Sequence, residues 1–170
     1  TFKSSTSFGW KLGKYSFDWS ELVKAKDVEI SRLEKIYQSN LVKSGVKIFN
    51  STGRIDNAHQ VSLSSGEIIS SKYILIAVGG APYIPNFEGS NYAISSNDIF
   101  DLKSFPKNIL IVGGGYIACE FSSIFNGLGS NVTQFYRGTS ILRGFDQEIT
   151  DHVKDSMVNR GVSIKLQTEV

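Results

Sequence analysis

Three small residues at a fixed spacing are the feature of this sequence with the clearest chemical meaning. Gly113, Gly115 and Ala118 follow an apolar run, 109–112, and match the G-x-G-x-x-G/A spacing of dinucleotide-binding turns. The first glycine permits a tight turn, the second lets the backbone approach a pyrophosphate, and the small third residue lets the helix pack closely on the strand. The start of the helix adds unpaired N–H groups and a positive dipole end. The sequence therefore predicts a strand, a turn and a helix that bind a dinucleotide.

The residues after this turn indicate which dinucleotide is bound. The helix is expected to end at Gly129, and 131–136 is expected to form the next strand. An NAD site usually has Asp or Glu near the end of this strand, which accepts hydrogen bonds from the ribose 2′-OH. Tyr136 stands there instead, and Arg137 and Arg143 follow. Two guanidinium groups without a carboxylate suit a 2′-phosphate, which favours NADPH. The alternative is that both arginines are solvated surface residues.

These segments resemble the pyridine nucleotide–disulfide oxidoreductases, and within that family the glutathione reductases. The resemblance rests on residues 113–121, 136–137 and 141–146 for an NADPH domain, and on 17–37 and 73–82 for an FAD domain. It implies an α/β fold, in which a Rossmann-like parallel sheet of βαβαβ order is joined to a partial FAD domain made of a helix and an antiparallel meander.

The resemblance also implies cofactors, a reaction and partners. The cofactors are NADPH and FAD, and hydride passes from NADPH to the flavin and then, as two electrons, to a disulfide. Glutathione disulfide is the expected small-molecule substrate. A homodimer and a cytoplasmic location are expected for the whole protein, with no nucleic-acid or membrane partner.

The resemblance gives roles to individual residues. Tyr116 is expected to cover the flavin at the nicotinamide end and to swing away when NADPH binds, and Glu120 to pair with a lysine near the flavin. The family usually has Thr where this chain has Val78, which removes one hydroxyl group. The residues expected to contact NADPH are Gly113, Gly115, Tyr116, Ile117, Ala118, Glu120, Arg137 and Arg143. Those expected to contact FAD are Ala77, Val78, Gly79 and Gly80.

Other parts of the family pattern are not found in this sequence. The family has a first Gly-rich βαβ unit, a C-x4-C redox pair and a C-terminal His with its Glu partner. Cys119 is the single cysteine, so no intrachain dithiol can form. The chain starts with Thr1 and ends at Val170, directly after the third strand of the nucleotide domain. We therefore expect an internal piece of a larger enzyme that has no disulfide reductase activity by itself.

Three alternatives stay open at this point. The parent could be a related reductase for trypanothione, mycothiol or mercury. It could be an NADH-dependent flavoprotein such as lipoamide dehydrogenase, although the absence of an acid at Tyr136 argues against this. It could also be a non-catalytic module that kept the dinucleotide-binding fold and lost the redox centre.

Composition excludes several other classes of protein. The chain has 170 residues, of which 41% are hydrophobic, and this is enough for a buried core. A net charge of +2 with both signs interspersed gives no basic patch for nucleic acid. No apolar run approaches the roughly 18 residues of a membrane-spanning helix. Neither histidine belongs to a pattern of metal ligands, so no metal site is expected.

The apolar pattern and the turn residues indicate where the other elements of the chain begin and end. Asp18 is expected to cap a long helix that ends at Gly45 and has one apolar face in the core. Asp146 is expected to cap a second helix, over 147–160. Pro82 marks a boundary near residue 81, between a partial FAD domain (1–80) and a C-terminally truncated NADPH domain (81–170). The expected strands of the first domain are 46–50, 53–56, 59–63, 68–70 and the wholly apolar 73–78.

Overall fold

The chain forms two separate units in a computed structural model that describes residues 5–170. One unit comprises residues up to Val23 together with Tyr83–Val170, and the other comprises Lys24–Pro82. Residues 1–4 of the predicted FAD domain lie outside the described residues. Each unit is described by itself below.

A long helix, α1, spans Trp19–Lys43, and its first turn belongs to the first unit. The predicted cap is confirmed, because Asp18 Oδ1 accepts a hydrogen bond from the Ser20 N–H at 2.8 Å. Gly45 follows the helix with φ of +77°, a left-handed conformation that favours glycine. The expected core face is found only at the start of the helix, where Trp19 packs against the core, and no residue of α1 is fully buried. Helical spacing predicts an apolar face, but burial needs a second element packed against that face.

The 24–82 unit contains a three-stranded antiparallel meander. Its strands are β1 (Gly53–Asn57), β2 (Gln60–Leu63) and β3 (Ile68–Ser70), in the order β1-β2-β3. The antiparallel meander predicted for this part of the chain is therefore present.

Two predicted strands of this unit are wrong. Neither 46–50 nor 73–78 forms a strand. Tyr73, Leu75 and Val78 are 79%, 89% and 88% exposed, whereas burial on both faces of a sheet was expected. A strand needs a neighbour that pairs with its N–H and C=O groups. Within the described residues no strand pairs with either segment, and an apolar composition alone does not supply such a partner.

The other unit contains the predicted βαβαβ arrangement. Strand β4 (Asn108–Val112) is followed by α2 (Tyr116–Leu128), β5 (Asn131–Tyr136), α3 (Gln147–Asn159) and β6 (Ser163–Leu166). The three strands are parallel in the order β4-β5-β6. Val112 pairs with Phe135 at the carboxyl ends of β4 and β5. The turn after β4 and the residues after β5 therefore lie at the same edge of the sheet, where open α/β sheets bind ligands.

A cluster of aromatic rings packs helix α2 against other segments of the same unit. Phe125 is 1% exposed, and its ring centroid lies 5.6 Å from that of Trp19 and 6.0 Å from that of Phe105. The indole of Trp19 donates a hydrogen bond to the Leu102 carbonyl at 2.6 Å. The buried hydrophobic residues of the core are Ile99, Cys119, Phe125, Val132, Ile141, Met157 and Val162.

Removing the cap of α3 should lower the stability of the protein. Asp146 Oδ1 accepts hydrogen bonds from the N–H groups of Glu148 (3.0 Å) and Ile149 (3.3 Å), which confirms the predicted cap. We expect Asp146→Ala to lower the free energy of unfolding by about 1 kcal/mol, because two amide donors lose their acceptor. Urea denaturation measures this change. Asp155→Ala on the same helix is the control and should cost less than about 0.5 kcal/mol. Equal losses in the two variants would contradict the capping role.

Candidate functional site

The glycine-rich turn is a compact link between β4 and α2. Gly113 has φ of +142°, and its N–H donates to the Phe135 carbonyl of β5 at 2.8 Å. A Cβ at Gly113 would lie 3.4 Å from the Cβ of Ala118. The turn and the helix therefore approach each other closely at Ala118, which explains why a small residue follows at this spacing.

Gly115 faces open space at the start of α2. It is the N-cap residue, with φ of −81° and ψ of 176°, and no side chain of the described residues caps the helix there. A Cβ at Gly115 would have no protein atom within 4 Å. Packing within the protein therefore does not require glycine here, whereas the close approach of an anion to the helix N-terminus would. These features fit the pyrophosphate of a dinucleotide.

Tyr136 packs against the turn from the end of β5. A Cβ at Gly114 would collide with the Tyr136 ring, and a Cβ at Gly138 would lie 2.5 Å from its Cε1 atom. The ring thus occupies the space that the two glycines leave, and it lies at the position where an NAD site would have its acid. The roles of Gly114 and Gly138 were not predicted. For Gly114 the sequence offered one sign, since three glycines are consecutive where the motif needs only the first and the third.

The carbonyl groups of the turn are bound by other parts of the same unit. The Gly114 carbonyl accepts a hydrogen bond from the Leu142 N–H at 2.6 Å, and Leu142 has φ of +55°, which is unusual for a leucine. The Gly113 carbonyl accepts one from Gln134 Nε2 at 2.9 Å. Sequence analysis missed Leu142 and Gln134, because both contacts join residues that are distant in the sequence.

Arg137 and Arg143 follow residues that contact the turn. Arg137 comes after Tyr136, whose ring covers Gly114, and Arg143 comes after Leu142, whose N–H binds Gly114. Both arginines are exposed, and neither guanidinium forms an ion pair or a hydrogen bond with any residue of 5–170. Two positive charges without a carboxylate partner therefore belong to residues that directly follow the ones in contact with the glycine-rich turn.

The remaining predicted residues of α2 lie on its first turns. Tyr116 is 61% exposed, and Ile117 is also exposed. Glu120 is exposed one helical turn after Tyr116, and nothing in the described part of the chain forms an ion pair with it. The structure thus brings Tyr116, Ile117 and Glu120 into the same segment as the glycine-rich turn.

Cys119 is buried in α2 and is not suited to redox chemistry. Burial raises the pKa of its thiol; the hydrogen bond from Gln134 Nε2, at 3.7 Å, opposes this change, and the charge of Glu120 adds to it. The thiol therefore stays protonated, whereas a reactive cysteine needs the thiolate.

The residues predicted to contact FAD belong to the other unit. Ala77, Val78, Gly79 and Gly80 lie in the 24–82 unit and are exposed, and Gly79 has φ of +72°. Their part in a flavin site stays a prediction.

No group of His, Cys, Asp and Glu residues suited to a metal ion is found in residues 5–170. None of the described helices is both long and apolar enough to cross a membrane.

Comparison with known proteins gives consistent results. The family described as pyridine nucleotide-disulphide oxidoreductase matches residues 9–170. A glutathione reductase from Burkholderia cepacia is 43% identical over 169 residues, covering 99% of this chain and 37% of that protein. A thioredoxin reductase from Plasmodium falciparum (isolate FCH-5) is 39% identical over 169 residues, and the match covers 95% of this chain and 31% of that protein. A solved Cu(II) complex of the HOCl-induced flavoprotein disulfide reductase RclA from Escherichia coli has a TM-score of 0.79 at 25% identity, covering 91% of this chain and 36% of that one.

The comparisons confirm the predicted family and the α/β fold class. The chain spans about a third of the length of the curated relatives it matches. Because the family pattern covers nearly the whole chain, this chain belongs to the pyridine nucleotide–disulphide oxidoreductase family.

Proposed function

We propose that the βαβαβ unit binds NADPH for a flavin-dependent disulfide reductase. The observation that carries this proposal is the open space beside Gly115, at a helix N-terminus that no described side chain caps. A pyrophosphate placed there would receive hydrogen bonds from the first N–H groups of α2 and would meet the positive end of the helix dipole. In this proposal residues 81–170 form an NADPH domain and residues 1–80 belong to an FAD domain, whose segment up to Val23 is grouped with Tyr83–Val170 in this structure.

NADPH is proposed over NADH because of the charges beside the turn. Arg137 and Arg143 present two guanidinium groups without a carboxylate partner, and Tyr136 fills the place of the acid that would bind a ribose 2′-OH. Guanidinium groups bind phosphate through paired, charge-assisted hydrogen bonds. Arg137 and Arg143 would therefore hold the 2′-phosphate of the adenosine half.

The other site residues would act at the nicotinamide end of the site. The exposed ring of Tyr116 would cover this end and turn aside when the nucleotide enters, and Ile117 would shape the pocket wall. Glu120 would pair with a lysine of the flavin domain. Ala77, Val78, Gly79 and Gly80 would contact FAD. When bound, NADPH supplies a hydride, which reaches a disulfide through the flavin as two electrons.

Glutathione disulfide is the proposed substrate of the whole protein. The glutathione reductase of B. cepacia supports this choice, and the thioredoxin reductase of P. falciparum supports thioredoxin as a second candidate. We propose that these 170 residues alone do not reduce a disulfide, because Cys119 is their single cysteine and its thiol is buried. A homodimer and a cytoplasmic location for the whole protein rest on the family resemblance.

Calorimetric titration of the purified protein with NADPH and with NADH tests the nucleotide assignment. We expect tighter binding of NADPH, and we expect Arg137→Ala to weaken NADPH binding by roughly 10- to 100-fold, as charge-assisted hydrogen bonds of about 1.5–3 kcal/mol are lost. The affinity for NADH should not change.

Arg160→Ala is the matched control, because it removes an exposed arginine of the same unit away from the turn. It should leave both affinities unchanged. Equal effects of Arg137→Ala and Arg160→Ala would contradict the 2′-phosphate site. Failure of the wild-type protein to bind either nucleotide would overturn the proposed function itself.

A further inference from the structure

A buried polar pair lies directly beneath the glycine-rich turn. Gln134 of β5 and Ser122 of α2 are both 0% exposed. The Ser122 hydroxyl donates a hydrogen bond to Gln134 Oε1 at 2.9 Å. Buried polar side chains are costly unless each is hydrogen-bonded, so the geometry of this pair is tightly constrained.

The amide of Gln134 connects this pair to the turn. Its Nε2 group donates to the Gly113 carbonyl at 2.9 Å and also contacts Cys119 Sγ at 3.7 Å. The Gly113 N–H is held by the Phe135 carbonyl at 2.8 Å. Two adjacent residues of β5 therefore hold both polar groups of Gly113, one through the backbone and one through a side chain.

We infer that Gln134 is a positioning residue for the nucleotide's pyrophosphate, with Ser122 fixing the orientation of its amide. The Gly113 carbonyl belongs to the peptide whose N–H is that of Gly114, so a hydrogen bond to this carbonyl sets the direction of that peptide plane. The Gly114 carbonyl is bound in the same way by the Leu142 N–H. With the carbonyl groups held by the protein, the turn presents Gly115 and the start of α2 in one fixed orientation. The inference rests on the proposed NADPH binding.

A purely structural role of the pair makes a different prediction. Replacing both partners of a buried hydrogen bond by apolar groups of similar shape is often nearly neutral for stability. For the bond between Ser122 and Gln134, stability alone therefore does not require polar partners; the bond from Gln134 to the Gly113 carbonyl is the one that reaches the turn. If the pair orients the turn, NADPH affinity depends on it. If the pair only fills space, NADPH affinity does not depend on it.

The test uses the variants Gln134→Leu and Ser122→Ala/Gln134→Leu, with NADPH and adenosine 2′-monophosphate as titrants. Gln134→Leu alone leaves the buried Ser122 hydroxyl without its partner and should lower the melting temperature. The double variant removes both polar side-chain groups and leaves only the Gly113 carbonyl without its donor, so its melting temperature should lie between those of the wild type and Gln134→Leu. In the double variant we expect the dissociation constant for NADPH to rise about 10-fold, which corresponds to about 1.4 kcal/mol. Adenosine 2′-monophosphate lacks the pyrophosphate, so its affinity should not change.

The outcomes separate this inference from the proposed function. If the wild type binds NADPH and the double variant binds it as tightly, the positioning role is overturned and the proposed function stands. If the double variant loses affinity for both titrants equally, the pair acts on the whole unit, and the positioning role is again overturned. If the wild type binds neither titrant, the proposed function and this inference both fail.

Discussion

Gly115→Ala is expected to weaken NADPH binding by about 100-fold and to leave the stability of the fold unchanged. The backbone of Gly115 has φ of −81°, which alanine adopts without strain, and the added Cβ would meet no protein atom within 4 Å. The same Cβ would project into the space that the pyrophosphate needs. Loss of one or two charge-assisted hydrogen bonds between the phosphate and the helix N–H groups, at about 1.5–3 kcal/mol each, would account for a loss of this size. Calorimetric titration and urea denaturation of the same preparation measure the two quantities.

Gly127→Ala is the matched control for this experiment. Gly127 lies within α2, and a Cβ there would also meet no atom within 4 Å. We expect this variant to gain about 0.5–1 kcal/mol of stability, because alanine favours the helix over glycine. Its NADPH affinity should equal that of the wild type. An unchanged affinity in Gly115→Ala would show that no ligand approaches the turn closely.

Phe125→Ala is expected to lower the free energy of unfolding by about 3–5 kcal/mol. Phe125 is buried at the centre of the aromatic cluster, with the rings of Trp19, Phe105 and Phe121 within 6.5 Å of its own. The substitution leaves a cavity between α2, the start of α1 and the segment that contains Phe105. The free energy of unfolding of native domains is only about 5–15 kcal/mol, so this substitution would remove a large part of it. Guanidinium denaturation in a Trp10→Phe background, followed by the fluorescence of Trp19, measures the change.

The control for this variant is Phe145→Ala, since Phe145 is 65% exposed. Phe145→Ala should lower the free energy of unfolding by less than about 0.5 kcal/mol. A similar loss for both variants would mean that the aromatic cluster is not the main support of α2. The position of the glycine-rich turn depends on α2. The lower stability of Phe125→Ala should therefore also reduce the fraction of protein that is able to bind nucleotide.

Local patterns predicted the βαβαβ arrangement well. The glycine spacing predicted the turn between β4 and α2, and Asp146 predicted the start of α3, because both signals act within a few residues of the chain. The position of Arg137 directly after β5 followed from the strand pattern alone. These features depend on backbone conformation and capping, which neighbouring residues determine.

Features that depend on distant residues were predicted poorly. The apolar segment 73–78 was interpreted as a buried strand, but pairing needs a neighbouring strand that composition cannot specify. The contact of Tyr136 with Gly114 and Gly138 was missed, since it depends on how β5 packs beside the turn. Gln134 was missed for the same reason. A polar residue inside an apolar strand could have suggested a buried partner, although not which one.

The unit that contains β4 to β6 is not one contiguous piece of the chain. Phe17 and Trp19 pack against Phe105, with ring centroids 5.4 Å and 5.8 Å away, and Trp19 also covers Phe125. A fragment that started at Tyr83 would keep the strands, the turn and both arginines, yet its aromatic core would be open to water. Moving the βαβαβ arrangement into another scaffold therefore requires the segment around Phe17 and Trp19 to be supplied as well.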